Sequence, residues 1–144
     1  MKAVEIKNTG GPEVLELKDI KLADPSNGEV LIKQVAIGLN YIDTYHRSGL
    51  YPVPLPSGIG LEGAGIIEKV GSDTDGFNVG DKVCYAAAPI GSYATHRIYP
   101  TKSLVKVPNE IDLEIVAAIM TKGLTTFYLL HKTYKAKSGE TVLF

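Results

Sequence analysis

Val4 and Ile6 alternate with Glu5 and Lys7, a period of two that predicts a strand, and Gly10-Gly11-Pro12 breaks the run. Val14, Leu15 and Leu17 follow among Glu16 and Lys18. Asp24-Pro25-Ser26-Asn27-Gly28 is a dense loop signal that ends in a strong turn dipeptide. Val30 to Ile37 then predicts a long strand. Asn40 to Ser48 lacks a breaker and predicts a short helix, with Gly49 placed to cap its C-terminus. Pro52, Pro54 and Pro56 impose an extended backbone. Ala64 to Gly71 predicts a strand, and Val79-Gly80-Asp81-Lys82-Val83 a turn into another. Tyr93–Tyr99 and Leu104–Pro108 predict two more. Many short strands punctuated by Gly and Pro point to a barrel or sandwich.

The pattern changes after Pro108. Asp112 is placed to cap a helix over Leu113–Met120, and Thr121–Tyr134 predicts a second helix with Lys132 and Lys135 near its end. No apolar run approaches the ~20 residues of a membrane-spanning helix. Ser138-Gly139 closes the helical region, and Glu140 to Phe144 predicts the start of an apolar strand. A strand after a helix, in a chain otherwise mainly β with a few helices, predicts the opening of an α/β unit. The expectation is that the 144 residues are the leading part of a longer protein.

Composition narrows the function classes. With 44% hydrophobic and 22% charged residues the chain is ordinary for a folded domain. A formal net charge of -1 gives no electrostatic reason to expect nucleic acid or a membrane surface as partner. The alternating N-terminus lacks the apolar core of a signal peptide. The single Cys84 excludes an internal disulfide and suits a reducing, cytoplasmic setting.

Gly58-Ile59-Gly60-Leu61-Glu62-Gly63 matches the dinucleotide fingerprint G-x-G-x-x-G letter for letter. That motif functions only between a strand and a helix, where the helix N-terminus receives pyrophosphate. Here it follows a proline-rich loop and precedes a segment with strand character. The glycines are expected to serve a bend where two backbones approach closely.

Gly10-Gly11-Pro12-Glu13-Val14-Leu15, Gly38-Leu39-Asn40-Tyr41-Ile42-Asp43 and Tyr45-His46-Arg47-Ser48-Gly49-Leu50-Tyr51-Pro52 occur in order along the chain. Gly63-Ala64-Gly65, Val79-Gly80-Asp81-Lys82-Val83, Gly91-Ser92-Tyr93-Ala94 and Lys122-Gly123-Leu124-Thr125 complete the set. With these motifs the chain resembles the NADPH-dependent, zeta-crystallin-like quinone oxidoreductase branch of the medium-chain dehydrogenase/reductase superfamily. The resemblance covers essentially the whole chain. It implies a GroES-like β-barrel catalytic domain over residues 1–122. Residues 123–144 would then be the junction helix and first strand of a Rossmann domain that holds NADPH. It also implies a quinone-like small-molecule substrate and a homodimer of the whole protein.

Zinc-dependent relatives carry a cysteine ligand where Asn40 stands and a histidine where Leu61 stands. A catalytic zinc needs about three protein ligands, so these two replacements imply a zinc-independent enzyme. Charge developing on a carbonyl or quinone oxygen would then meet hydrogen-bond donors, of which Asn40 and Tyr45 offer two. By resemblance, Asn40, Tyr45, Thr125 and Tyr128 face nicotinamide ribose, phosphate or substrate.

Each residue has a structural alternative. Asn40 could cap the short helix. Tyr45 and Tyr128 could be packing residues. Asp43 and Glu62 could be acids, or structural hydrogen-bond acceptors, or partners of Arg47. His46, His96 and His131 show no ligand spacing, and Cys84 lies in an apolar strand. A stand-alone barrel that binds another protein, in the manner of GroES-like co-chaperonins, is the alternative function.

Overall fold

The alternation in the sequence becomes eight strands in the computed structural model, which describes residues 1–143. They are β1 (Lys2–Ile6), β2 (Glu16–Asp19), β3 (Glu29–Gly38), β4 (Ser57–Gly58), β5 (Glu62–Val70), β6 (Lys82–Ala86), β7 (His96–Pro100) and β8 (Val105–Lys106). Two helices interrupt them: α1 (Tyr41–Ser48) and α2 (Leu113–Phe127). The strands form a three-stranded sheet, β2-β1-β4, and a five-stranded sheet, β7-β3-β5-β6-β8, with every pairing antiparallel.

Residues 93–95 join the two sheets. Val4 N–H donates to the Tyr93 carbonyl at 2.8 Å and Thr95 N–H to the Lys2 carbonyl at 2.8 Å. On the other side, Gln34 N–H donates to the Thr95 carbonyl at 3.0 Å. The strand expected over Tyr93–Tyr99 is therefore split. Its first three residues bridge sheets, and only His96–Pro100 continues as β7.

β6 shows how one sheet separates two cores. Val83 and Tyr85 point into the barrel, with Val30, Ile32, Ile67, Tyr99 and Leu104. Cys84, on the opposite face, packs with Ala64, Val107 and the α2 residues Leu113, Val116 and Ala117. This is the period of two expected of a strand buried on both sides. Inside the barrel Arg97 lies over the rings of Tyr85 and Tyr99, 4.8 Å from each centroid, and donates to the Pro89 carbonyl at 2.8 Å.

The glycines of the 58–63 segment serve the bend expected of them. A Cβ on Gly58 would come within 2.9 Å of the Gly91 Cα, and Gly60 holds a left-handed φ of 98°. The segment leads from β4 into β5, not into a helix. It has no helix N-terminus with which to receive a pyrophosphate.

The C-terminal region departs from expectation in three ways. The two expected helices are one: α2 runs through Thr121 and Gly123 to Phe127, then continues as a π-helical stretch, Tyr128–Thr133. Asp112 does cap it, accepting from the Glu114 amide at 2.7 Å. Because the helix is continuous, Leu113–Thr133 spans 21 residues and is long and apolar enough to cross a membrane by length and composition alone. Its N-terminal half is nevertheless a core helix, packed on β3, β5 and β6. Finally, residues 140–143 form no strand; Phe144 lies outside the described residues. A strand needs a neighbour to pair with. Here Val142 and Leu143 instead fold back beside Leu129, Leu130 and Ala136 around a hollow of about 540 Å³.

Candidate functional site

Helix α1 is fastened at both ends by its own sequence. Asp43, at the third helical position, reaches back so that its Oδ2 accepts the Asn40 backbone N–H at 3.0 Å. That is the returning half of a capping box, which satisfies an amide the helix leaves free. The same oxygen accepts the Tyr93 hydroxyl at 2.9 Å. Gly49 ends the helix in the left-handed conformation, φ 85°. Arg47 forms no ion pair with Asp43 or Glu62 among the described residues. Its Nε donates to the Gly10 carbonyl at 3.2 Å, and the Gly10 N–H donates back to the Arg47 carbonyl at 3.0 Å. Arg47 therefore holds the glycine-rich loop against α1.

With its backbone N–H held by Asp43, Asn40 sends its side chain elsewhere. Nδ2 donates to Glu62 Oε2 at 2.7 Å, and Oδ1 accepts from Lys122 Nζ at 3.2 Å. Glu62, the first residue of β5, is fully buried. Its other oxygen, Oε1, accepts the Thr121 backbone N–H at 2.7 Å, and Lys122 Nζ lies 3.9 Å from Oε2. Two hydrogen-bond donors and one ammonium therefore converge on one carboxylate, as a buried charge requires. Gly38, opposite Glu62 in the β3–β5 ladder, makes the room. A Cβ there would overlap the Glu62 carboxylate and lie 2.5 Å from the Ala117 carbonyl of α2.

The orientation of the Asn40 amide follows. A carboxylate can only accept and an ammonium can only donate, so Nδ2 must face Glu62 and Oδ1 must face Lys122. Asn40 thus occupies the N-cap position while its side chain links sheet to helix.

The remaining expected residues fall in two places. Tyr45 is half-buried in an aromatic group, edge-on to Tyr41 at 5.4 Å between centroids and tilted against Tyr51 at 5.2 Å. It belongs to a different cluster from Asn40. Thr125 and Tyr128 are exposed, each three residues beyond the last along the helix from Lys122. Side chains three apart form a ridge on a helix, so Lys122, Thr125 and Tyr128 follow one line. In the sequence, Lys122 is legible only as part of the Lys122-Gly123-Leu124-Thr125 motif. The signal available was a lone cation in an otherwise apolar helical run.

Other titratable groups near the site are structural. The Tyr93 phenol is pushed well above its ordinary value, first by burial and then by its hydrogen bond to Asp43. Burial, and then the Glu62 charge, push the Cys84 thiol up. Its Sγ lies 3.9 Å from Met120 Sδ. Among the described residues no group of three His, Cys, Asp or Glu side chains is arranged to hold a metal ion.

Two sheets joined by residues 93–95, with helix and sheet meeting at Asn40 and Glu62, accord with a GroES-like domain of the dehydrogenase type. Residues 26–109 match the alcohol dehydrogenase GroES-like domain, and the chain belongs to that family. It is 53% identical to the quinone oxidoreductase of Pseudomonas aeruginosa, over 99% of this chain and 44% of that protein. It is 42% identical to a 2-haloacrylate reductase of Burkholderia sp, over 98% of this chain and 44% of that protein. Among solved structures, Escherichia coli quinone oxidoreductase complexed with NADPH superposes with a TM-score of 0.95 at 45% identity, over 97% of this chain and 43% of that one. The chain spans less than half the length of each of these relatives.

Proposed function

We propose that this chain is the substrate-side portion of a zinc-independent oxidoreductase that reduces quinones, or related activated carbonyls and alkenes, with NADPH. The observation that carries the reading is the linked set Asn40, Glu62 and Lys122, opening onto the Thr125–Tyr128 ridge. The named activities of the quinone oxidoreductase and 2-haloacrylate reductase relatives support the choice of substrates. In this reading residues 1–122 form the catalytic domain, and residues 123–144 begin a cofactor-binding domain that the rest of the protein completes.

The residues present fit one end of a nicotinamide dinucleotide. Exposed Thr125 and Tyr128 can offer hydroxyls to its sugar and phosphate groups, and Tyr45 stands on an aromatic wall. When bound, NADPH supplies the hydride. The chain's own groups orient the acceptor, shield it and meet the charge that appears on its oxygen. Zinc has no place in the scheme, because the Asn40 amide is committed to Glu62 and Lys122. The reading also carries a cytoplasmic setting and a homodimer of the whole protein.

The test is NADPH oxidation by the complete gene product with simple benzoquinones and naphthoquinones. The expected result is quinone-dependent loss of reduced-nicotinamide absorbance, undiminished after dialysis against a chelator. Absence of any such turnover, with folded protein confirmed, rejects the reading.

A further inference from the structure

We infer that Lys122 is the cation that meets the negative charge on the acceptor oxygen, and so is a catalytic residue of the reaction proposed above, on which this inference rests. The Asn40 amide is the obvious neutral donor, but one of its hydrogens goes to Glu62 Oε2 and its oxygen accepts from Lys122. Asn40 therefore keeps a single neutral N–H with which to meet an oxyanion. The ammonium 3.2 Å away supplies the opposite sign. Its side chain is 56% exposed while its partner Glu62 is buried. Glu62 and Asn40 hold the lysine on its buried side, and its exposed side leaves N–H bonds free to face a ligand.

The chemistry has a role for that charge. NADPH, when bound, would supply the hydride and be left as NADP+. The quinone gains two electrons and one proton as hydride, giving a hydroquinone monoanion. A proton from solvent then completes the hydroquinone. Lys122 keeps its own proton throughout and donates a charge-assisted hydrogen bond to the anionic oxygen. Glu62 has its hydrogen-bonding capacity directed at Asn40 and at α2.

The test measures binding by the complete gene product saturated with NADP+. The probes are 4-nitrophenolate, which carries the anionic oxygen of the product, and 4-nitroanisole, which has the same ring without the charge. The wild-type protein is expected to prefer the phenolate. Lys122→Met should weaken phenolate binding about tenfold or more, and Lys122→Arg should keep most of it, with anisole binding unchanged in both. Three results overturn the inference: no phenolate preference in the wild type, equal loss of both probes in Lys122→Met, or loss of NADP+ affinity in place of phenolate affinity. A protein that prefers phenolate through Lys122, yet oxidises no NADPH with quinones, keeps the oxyanion site and rejects only the quinone substrate.

Discussion

The Tyr93 hydroxyl and the Asn40 backbone amide share one oxygen of Asp43, at 2.9 and 3.0 Å. Through that oxygen the bridge between the two sheets is tied to the first turn of α1.

Tyr93→Phe should therefore cost stability, because a buried carboxylate loses a donor; about 1–3 kcal/mol is the usual penalty. The pH dependence has a definite sign. The folded-state phenol titrates well above the unfolded one, so the folded state keeps a proton that the unfolded state releases. That stability is fully present below the unfolded value of about 10 and is lost as the pH rises beyond it. Urea midpoints measured through this alkaline range should fall in the wild type and fall less steeply in Tyr93→Phe. Parallel curves would show that Tyr93 is not the group responsible.

Gly38→Ala tests the space that Glu62 occupies. Its Cβ would collide with the Glu62 carboxylate and with the Ala117 carbonyl, both held in place by packing. Overpacking of this kind costs about 1–3 kcal/mol. Gly123→Ala is the control, because nothing lies within 4 Å of a Cβ added there, and denaturation should show it to be harmless by comparison. Equal stability of the Gly38 and Gly123 variants would contradict the close approach of β3, β5 and α2.

Cys84 is buried between β6 and α2, and its thiol titrates above the ordinary value. A thiol-directed reagent attacks the thiolate, so modification near neutral pH should be slow and should follow unfolding. Rapid stoichiometric labelling of the native protein would show that the sheet–helix seam opens easily.

Asn40→Ala and Tyr45→Phe, made in the complete gene product, are expected to lower quinone turnover by about tenfold or more each. Steady-state kinetics with NADPH in excess give the comparison. Because the two residues lie in separate clusters, their effects should combine almost additively. Unchanged kinetics in both would remove them from the site.

Much of the fold was legible locally. Gly49 announced the end of α1, Asp112 the start of α2, and the flanks of Gly58–Gly63 ruled out a phosphate loop. What stayed hidden was non-local. Nothing near Tyr93 indicates that its segment bonds to β1 on one side and β3 on the other. The helix boundary expected at Thr121 is not a break, although a trace of it survives: the amide there donates to a side chain from β5. In the site, Asn40 was legible as a cap, and it takes the N-cap position; its part in the reaction belongs to the function proposed above. The partnership of Asn40, Glu62 and Lys122 spans 82 residues of sequence and forms only when the sheet meets the helix. The apolar strand expected after Glu140 had the right composition but no neighbour among the described residues.

Helix α2 is anchored along one half only. Leu113, Val116 and Ala117 are fixed in the core, whereas Leu124, Phe127 and Tyr128 stand exposed. The Glu62 carboxylate accepts the Thr121 amide at the point where the buried half of the helix gives way to the exposed half, so the sheet reaches as far along the helix as its packing does.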